Sequence, residues 1–193
     1  MNVAIVKYNA GNIRSVDFAL KRLGIKASIT DDHEAIRAAD KVIFPGVGEA
    51  STTMAYLKER HLDTLLSSLQ QPVLGICLGQ QLMCRWSEEG NTPCIGIFDE
   101  DVLKFPPKGK VPHMGWNQLT APKGDLFRNI EAGEFVYFVH SYYVPPGPHT
   151  IAGCSYIVEF SAALQYRNFY ATQFHPEKSG PTGRKILENF LEL

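Results

Sequence analysis

The sequence predicts an α/β fold: a central, mostly parallel sheet flanked by helices, with antiparallel strands added in the C-terminal half. Three observations predict it. Short apolar runs alternate with helical-period stretches as far as Gly90. One of these runs, 73–76, leads into Gly75-x-Cys77-x-Gly79, the pattern of a sharp strand-to-helix turn. Beyond Gly90 the rhythm changes to β-prone, aromatic segments with turn residues between them.

The elements follow in order. Residues 3–6 are an apolar run of strand length. Asn9-Ala10-Gly11-Asn12 has turn chemistry, and Asn12 is placed to cap the next helix. Ile13, Val16, Leu20 and Leu23 give that helix its stripe, and Gly24 closes it. Residues 25–30 read as a second strand. Asp31 and Asp32 can cap a short helix over 34–39, and 41–44 form a third strand. Met54, Leu57, Leu62, Leu65, Leu66 and Leu69 mark a long helical region broken near His61. The strand at 72–76 follows. Leu82, Met83 and Trp86 then fall at helical spacing, with Gly90 as the stop, which puts Glu88 and Glu89 at the C-terminal end of the helix. In the second half, 95–98 and 102–105 read as short strands and 106–113 as a Pro, Gly and Lys-rich loop. Residues 136–144, 151–158, 162–167 and 169–174 are β-prone, with a hairpin turn at Arg167 and Asn168. A final amphipathic helix over 183–193 turns Ile186, Leu187, Phe190 and Leu191 inward.

Composition excludes several classes. The length suits one domain over 1–193. With 19 basic and 20 acidic residues the net charge is −1, so nothing draws in nucleic acid. No apolar stretch approaches membrane-span length. Cys77, Cys84, Cys94 and Cys154 lack C-x-x-C spacing, and no His-x-x-x-His or carboxylate cluster suggests a metal. Four free thiols without a secretory signal point to the cytoplasm.

Two half-signals carry the chemistry. A cysteine at a nucleophile elbow stands exposed above a sheet edge, at the positive end of a helix. Alone, Gly-x-Cys-x-Gly more often marks a small buried hydrophobe, the usual fate of a free cysteine. The second signal is Phe174-His175-Pro176-Glu177. Pro176 biases His175 toward extended backbone, where His175 and Glu177 point to one side. A histidine beside a carboxylate suits a base and its orienter. Attack on a carbonyl also needs two N–H donors for the oxyanion. Leu78 supplies one at the elbow, and Val47 or Gly48 in Pro45-Gly46-Val47-Gly48 the other. Among the other histidines, His33, His61 and His149 sit in polar contexts, while His140 lies in an aromatic strand as a satisfied core residue.

With these residues together the chain resembles the class I, triad-type glutamine amidotransferases, whose fold is flavodoxin-like. Gly11-Asn12-Ile13-Arg14-Ser15, His113-Met114-Gly115-Trp116-Asn117 and Phe138-Val139-His140-Ser141-Tyr142-Tyr143 add a subgroup resemblance. That subgroup comprises glutaminase subunits that feed a separate (β/α)8-barrel cyclase subunit in histidine biosynthesis. Gln80 departs from the pattern, where the family often has methionine; it should touch packing more than chemistry.

The resemblance implies hydrolysis of L-glutamine to glutamate and ammonia by Cys77, His175 and Glu177, with no cofactor and no metal. It implies a heterodimer through which ammonia passes to the cyclase. It assigns glutamine contacts to Gly48, Gln81, Glu89, Ser141 and Tyr142. Glu89 would face the substrate ammonium; an acidic residue at a helix C-terminus costs about 0.3–1 kcal/mol when exposed, which invites a functional account. Asn12, Trp116, Asn117, Tyr137 and Lys178 match positions near the cyclase interface. The alternatives are a class I glutaminase serving pyridoxal phosphate or anthranilate synthesis, a cysteine peptidase-like protein, and a non-catalytic partner-binding subunit.

Overall fold

The computed structural model describes residues 1–8 and 12–193. The turn expected at 9–11 lies outside the described residues. The first half alternates strands and helices: β1 (Val3–Val6), α1 (Ile13–Arg22), β2 (Ser28–Thr30), α2 (His33–Arg37), β3 (Lys41–Gly46), α3 (Ala50–Glu59), α4 (Leu62–Ser68), β4 (Val73–Cys77) and α5 (Leu78–Met83). After these come β5 (Cys84–Ser87), β6 (Thr92–Pro93), β7 (Phe98–Lys104), β8 (His113–Gln118), β9 (Phe135–His140) and β10 (Tyr142–Tyr143). The chain ends with β11 (Thr150–Ser155), β12 (Glu159–Tyr166), β13 (Phe169–Thr172) and α6 (Gly180–Leu191).

The main sheet has seven strands in the order β11-β12-β13-β4-β3-β1-β2. Strands β2, β1, β3, β4 and β13 run parallel, and β12 and β11 are antiparallel additions at one edge. Side chains alternate between the faces, as strand geometry requires. Val3, Ile5, Ile43, Leu74 and Ile76 pack against Val16 and Leu20 of α1 and Ile186 and Phe190 of α6. Ala4, Val6, Val42, Phe44 and Val73 pack against Met54, Leu57, Leu65 and Leu82. Each fully buried Leu, Ile or Phe contributes about 1.5–3 kcal/mol, so the sheet is gripped from both sides.

The register places the chemistry. Gly46 lies beside Cys77, and Thr172 beside Ile76. The carboxyl ends of β3, β4 and β13 therefore meet at one edge of the sheet, the position at which ligands bind in parallel sheets.

Several expectations need correction. The second strand covers only Ser28–Thr30, because it pairs on one side only. The elbow helix is six residues long and stops at Met83. Trp86 lies instead in β5, which pairs with β7 and β6. The helix can stop early because the irregular segment after β6 satisfies its last carbonyls: Ile95 and Ile97 donate to Leu82 and Met83 at 2.9 and 2.8 Å. That same role keeps residues 95–97 out of a strand. The added strands do not all join the main sheet: β10-β7-β5-β6 form a second sheet and β8-β9 a third. Strand β8, read only as the residues following a loop, exists because side chains on both of its faces find partners across β9: buried His113 meets His140, and exposed Trp116 meets Tyr137. His61, at φ 54°, breaks the long helical region where expected.

Candidate active site

Cys77 ends β4 and precedes α5 with φ 56° and ψ −109°. This is a sparsely populated conformation, costing on the order of 1–3 kcal/mol, and close packing sustains it. A Cβ on Gly79 would overlap the Phe44 carbonyl oxygen, and one on Gly46 would overlap the Gly79 nitrogen. Backbone therefore touches backbone between β3 and α5, which only glycine allows. The turn leaves the Cys77 thiol on the floor of a cavity of about 390 Å³.

Val47, Gly48, Leu78, Gln81, Glu89, Ser141, Tyr142 and His175 line the same cavity. Gly48 has φ 114°, a conformation that side chains resist, and the space around its Cβ position is open. The requirement for glycine there is conformational. Tyr8 is buried beneath this loop, and its hydroxyl donates to the Pro45 carbonyl at 2.5 Å. Burial, then the nearby Cys77, pushes the Tyr8 hydroxyl far above its ordinary value, so it stays a donor.

His175 follows β13 and is 2% exposed. Its Nδ1 lies 2.8 Å from Glu177 Oε1. The route to this contact differs from the expected extended strand. His175 is extended at φ −97° and ψ 97°, but Pro176 opens a 3-10 turn over Pro176–Lys178 that folds Glu177 back. Proline favours such a first helical position. Ser179 locks the turn by donating to the His175 carbonyl at 2.6 Å and accepting from the Tyr137 amide at 2.9 Å. Burial is the largest influence on His175 and disfavours the imidazolium. Cys77 and then Glu177 outweigh it and lift the group to about 10.

Asn12 does not cap α1 with its side chain. Its Nδ2 instead donates to Glu177 Oε1 at 2.5 Å, fixing the carboxylate behind the imidazole. Glu89 is not at a helix C-terminus either, since it opens a 3-10 turn after β5. Its Oε2 accepts from Ala50 N at 2.8 Å, at the start of α3, so its charge lies where a helix favours it. The expected dipole cost is absent. Burial raises the Glu89 carboxyl even against that bond. Gln81 is buried, with Nε2 donating to the Tyr142 carbonyl at 3.1 Å and to Gln173 Oε1 at 2.9 Å. Gln80 is wholly buried, outside the cavity, and donates to the Ser161 carbonyl at 3.3 Å.

Asn12 and Lys178 reach the cavity rim. Trp116, Asn117 and Tyr137 lie on the β8-β9 ribbon away from it. Trp116 is 54% exposed and meets Tyr137 edge-on, with ring centroids 5.8 Å apart. Sequence reasoning missed Tyr8, Gln173 and Ser179. Gln173, an uncharged polar residue within a run of buried β-prone residues, carried a usable signal; the other two did not. Among the described residues no cluster suited to a metal ion occurs, and no helix is long and apolar enough to cross a membrane.

The His175 shift has a testable sign. Its ordinary value of 6.5 rises to about 10 in the fold, so between these values the folded chain holds a proton that the unfolded chain releases. The stability this supplies is full below about pH 6.5 and is lost as pH rises through about 10. The urea midpoint of the wild type should fall over that window relative to His175→Gln. Parallel curves would show that the proton is not retained.

The family model "Glutamine amidotransferase class-I" matches residues 4–193. The chain is 65% identical to "Imidazole glycerol phosphate synthase subunit HisH" of Bacteroides fragilis, 62% to that of Bacteroides thetaiotaomicron and 48% to that of Escherichia coli K12. Each alignment covers 100% of both sequences. Among solved structures, a glutamine amidotransferase superposes with a TM-score of 0.76 at 19% identity, covering 98% of this chain and 97% of that one. PurLQS from Thermotoga maritima superposes with 0.73 at 18% identity, covering 99% and 97%.

Proposed function

Because the chain belongs to the class-I glutamine amidotransferases, we infer that it is the glutaminase subunit of an imidazole glycerol phosphate synthase. The observation that carries this is full-length identity of 48–65% to subunits of that name. It hydrolyses glutamine to glutamate and ammonia and passes the ammonia to a (β/α)8 cyclase subunit. The cyclase then makes imidazole glycerol phosphate and aminoimidazole carboxamide ribotide in histidine biosynthesis. The four free thiols fit a cytoplasmic setting.

The site supports the following roles. Cys77 thiolate attacks the side-chain amide carbon of glutamine. The resulting oxyanion is met by the Leu78 N–H and by the peptide between Val47 and Gly48. The C–N bond breaks as the His175 imidazolium gives its proton to the departing ammonia. His175 then takes a proton from water, which attacks the γ-glutamyl thioester and expels the Cys77 thiolate. Glu177, held by Asn12, orients the imidazole and stabilises its charged form. Glu89 faces the substrate ammonium, while Gln81, Ser141, Tyr142 and Gly48 shape the amino-acid pocket.

The cyclase face is read from Trp116, Tyr137, Asn117, Asn12 and Lys178. Met114 and Trp116 are 61% and 54% exposed on one face of β8, beside exposed Phe135 on β9. An exposed aromatic ribbon next to Lys178 on the cavity rim suits a partner that closes over the glutamine.

Glutamate release by the purified chain, with and without a cyclase barrel and its nucleotide ligand, tests the reading. A large rise with both present is expected. Unchanged turnover of glutamine on adding the barrel would keep the chemistry and move the chain to another pathway.

A further inference from the structure

At the wall of the glutamine pocket, which His140 lines, lies a pair of buried histidines that the triad does not use. His140 is 5% exposed and His113 is 3% exposed, and they face each other across the β8-β9 ladder. His113 Nδ1 and His140 Nε2 are 3.0 Å apart. His113 is stacked between Tyr156, at 4.1 Å, and Phe138, at 4.9 Å. His140 packs on Phe160 and Phe105.

The protons in this pair can be assigned from their neighbours. His140 Nδ1 lies 2.7 Å from the Tyr142 carbonyl, which only accepts, so Nδ1 carries hydrogen. In a neutral ring Nε2 is then bare and must accept from His113 Nδ1–H. That leaves His113 Nε2 as an acceptor, and Asn117 Nδ2 donates to it at 3.3 Å. The orientation of the Asn117 amide is fixed independently. Its Oδ1 accepts from the Gln118 amide at 2.8 Å, and its Nδ2 also donates to the Ser155 carbonyl at 3.0 Å. Among the described residues no carboxylate bonds either ring. Burial lowers His113 to about 4 and His140 to about 3, which agrees with two neutral imidazoles.

We propose that His113 and His140 are positioning residues for glutamine: a directional, uncharged hydrogen-bond chain that fixes the strand switch at Ser141 and so the pocket wall. At Ser141 the chain leaves β9, paired with β8, and enters β10, paired with β7. His140 reaches over this break to the carbonyl two residues ahead. The same Tyr142 carbonyl receives Gln81, which bonds Gln173, whose Nε2 lies 3.8 Å from Cys77 Sγ. The chain thus runs from the outer ribbon, through His140 on the cavity wall, to Gln81 and the floor of the pocket. Its chemistry demands donors and acceptors in one order, which a merely space-filling aromatic could not provide.

This inference rests on the glutaminase reading, and its test separates the two. In the complex with the cyclase, His140→Phe keeps an aromatic ring but loses the donor to Tyr142. The KM for glutamine should rise about tenfold, with kcat within about threefold and ammonia-dependent synthesis unchanged. His140→Asn, which places an amide N–H near the Nδ1 position, should recover most of the KM. An unchanged KM in His140→Phe, a loss confined to kcat, or no recovery in His140→Asn would overturn the role. If His140→Phe does not fold, nitrogen NMR of the wild-type complex near neutral pH decides. Both rings should be Nδ1–H tautomers. An Nε2–H tautomer or an imidazolium in either ring would overturn the chain, whatever the glutaminase activity proves to be.

Discussion

Cys77→Ala should lower glutamine-dependent synthesis by the complex at least about 10⁴-fold, while synthesis from added ammonia stays within about twofold. The large loss follows from the absence of any substitute nucleophile. Cys84 and Cys154 are buried elsewhere in the core, and burial pushes the thiol of Cys154 up to about 12. Burial likewise pushes Cys94 up to about 12. Only Cys77 lines the cavity that holds His175. The fold should survive, because alanine meets the same positive φ as cysteine and the side chain removed is small. Parallel glutaminase and ammonia-dependent assays on one preparation, with a melting curve, check this. Retained turnover of glutamine would remove Cys77 from the chemistry. Loss of both activities in a folded complex would make it structural.

Much of this site was legible because its signals are local. Gly75-x-Cys77-x-Gly79 encodes the elbow in five residues, and His175-Pro176-Glu177 encodes a base and its orienter in three. The parallel half of the sheet was legible for the same reason: each apolar run is followed by its own helix. What escaped depends on contacts between distant segments. The elbow helix stops at Met83 because residues 95 and 97 arrive to bond its carbonyls, and nothing near Met83 announces that. Periodicity alone carried the helix on to Trp86, but β pairing with β7 prevailed. Asn12 has the chemistry of a helix cap, yet Glu177, 165 residues away, takes its side chain. Glu89 was selected for an unfavourable position that it does not occupy; its carboxylate instead supports α3 and still reaches the cavity. The two histidines of the β8-β9 ribbon are ordinary in sequence and acquire meaning only through cross-strand register.

Gly79→Ala should be severely damaging, because it acts on the fold and the chemistry together. Its new methyl would meet the Phe44 carbonyl oxygen, which is backbone and cannot rotate away. Phe44 is itself held in register with Gly75 across the β3-β4 ladder, so strand β3 cannot retreat cheaply. Helix α5 must move instead. Overpacking of this kind costs about 1–3 kcal/mol and occasionally more; against a backbone oxygen we expect about 3. For a chain of this size that lowers the melting temperature by roughly 6–12 °C. The displacement also carries Cys77 and the Leu78 N–H away from the loop at Gly48, and a shift of about 1 Å can cost 10²-fold in rate. Glutamine turnover per folded molecule should therefore fall about 100-fold or more. Gly24→Ala is the contrasting control: it carries a backbone strain at φ 76° that helical Gly79 does not have, but open space around the new methyl, so it should lose only about 1 kcal/mol and no turnover. If Gly79→Ala melted like Gly24→Ala and kept its glutaminase rate, close approach of β3 to α5 would not be what holds the elbow in place.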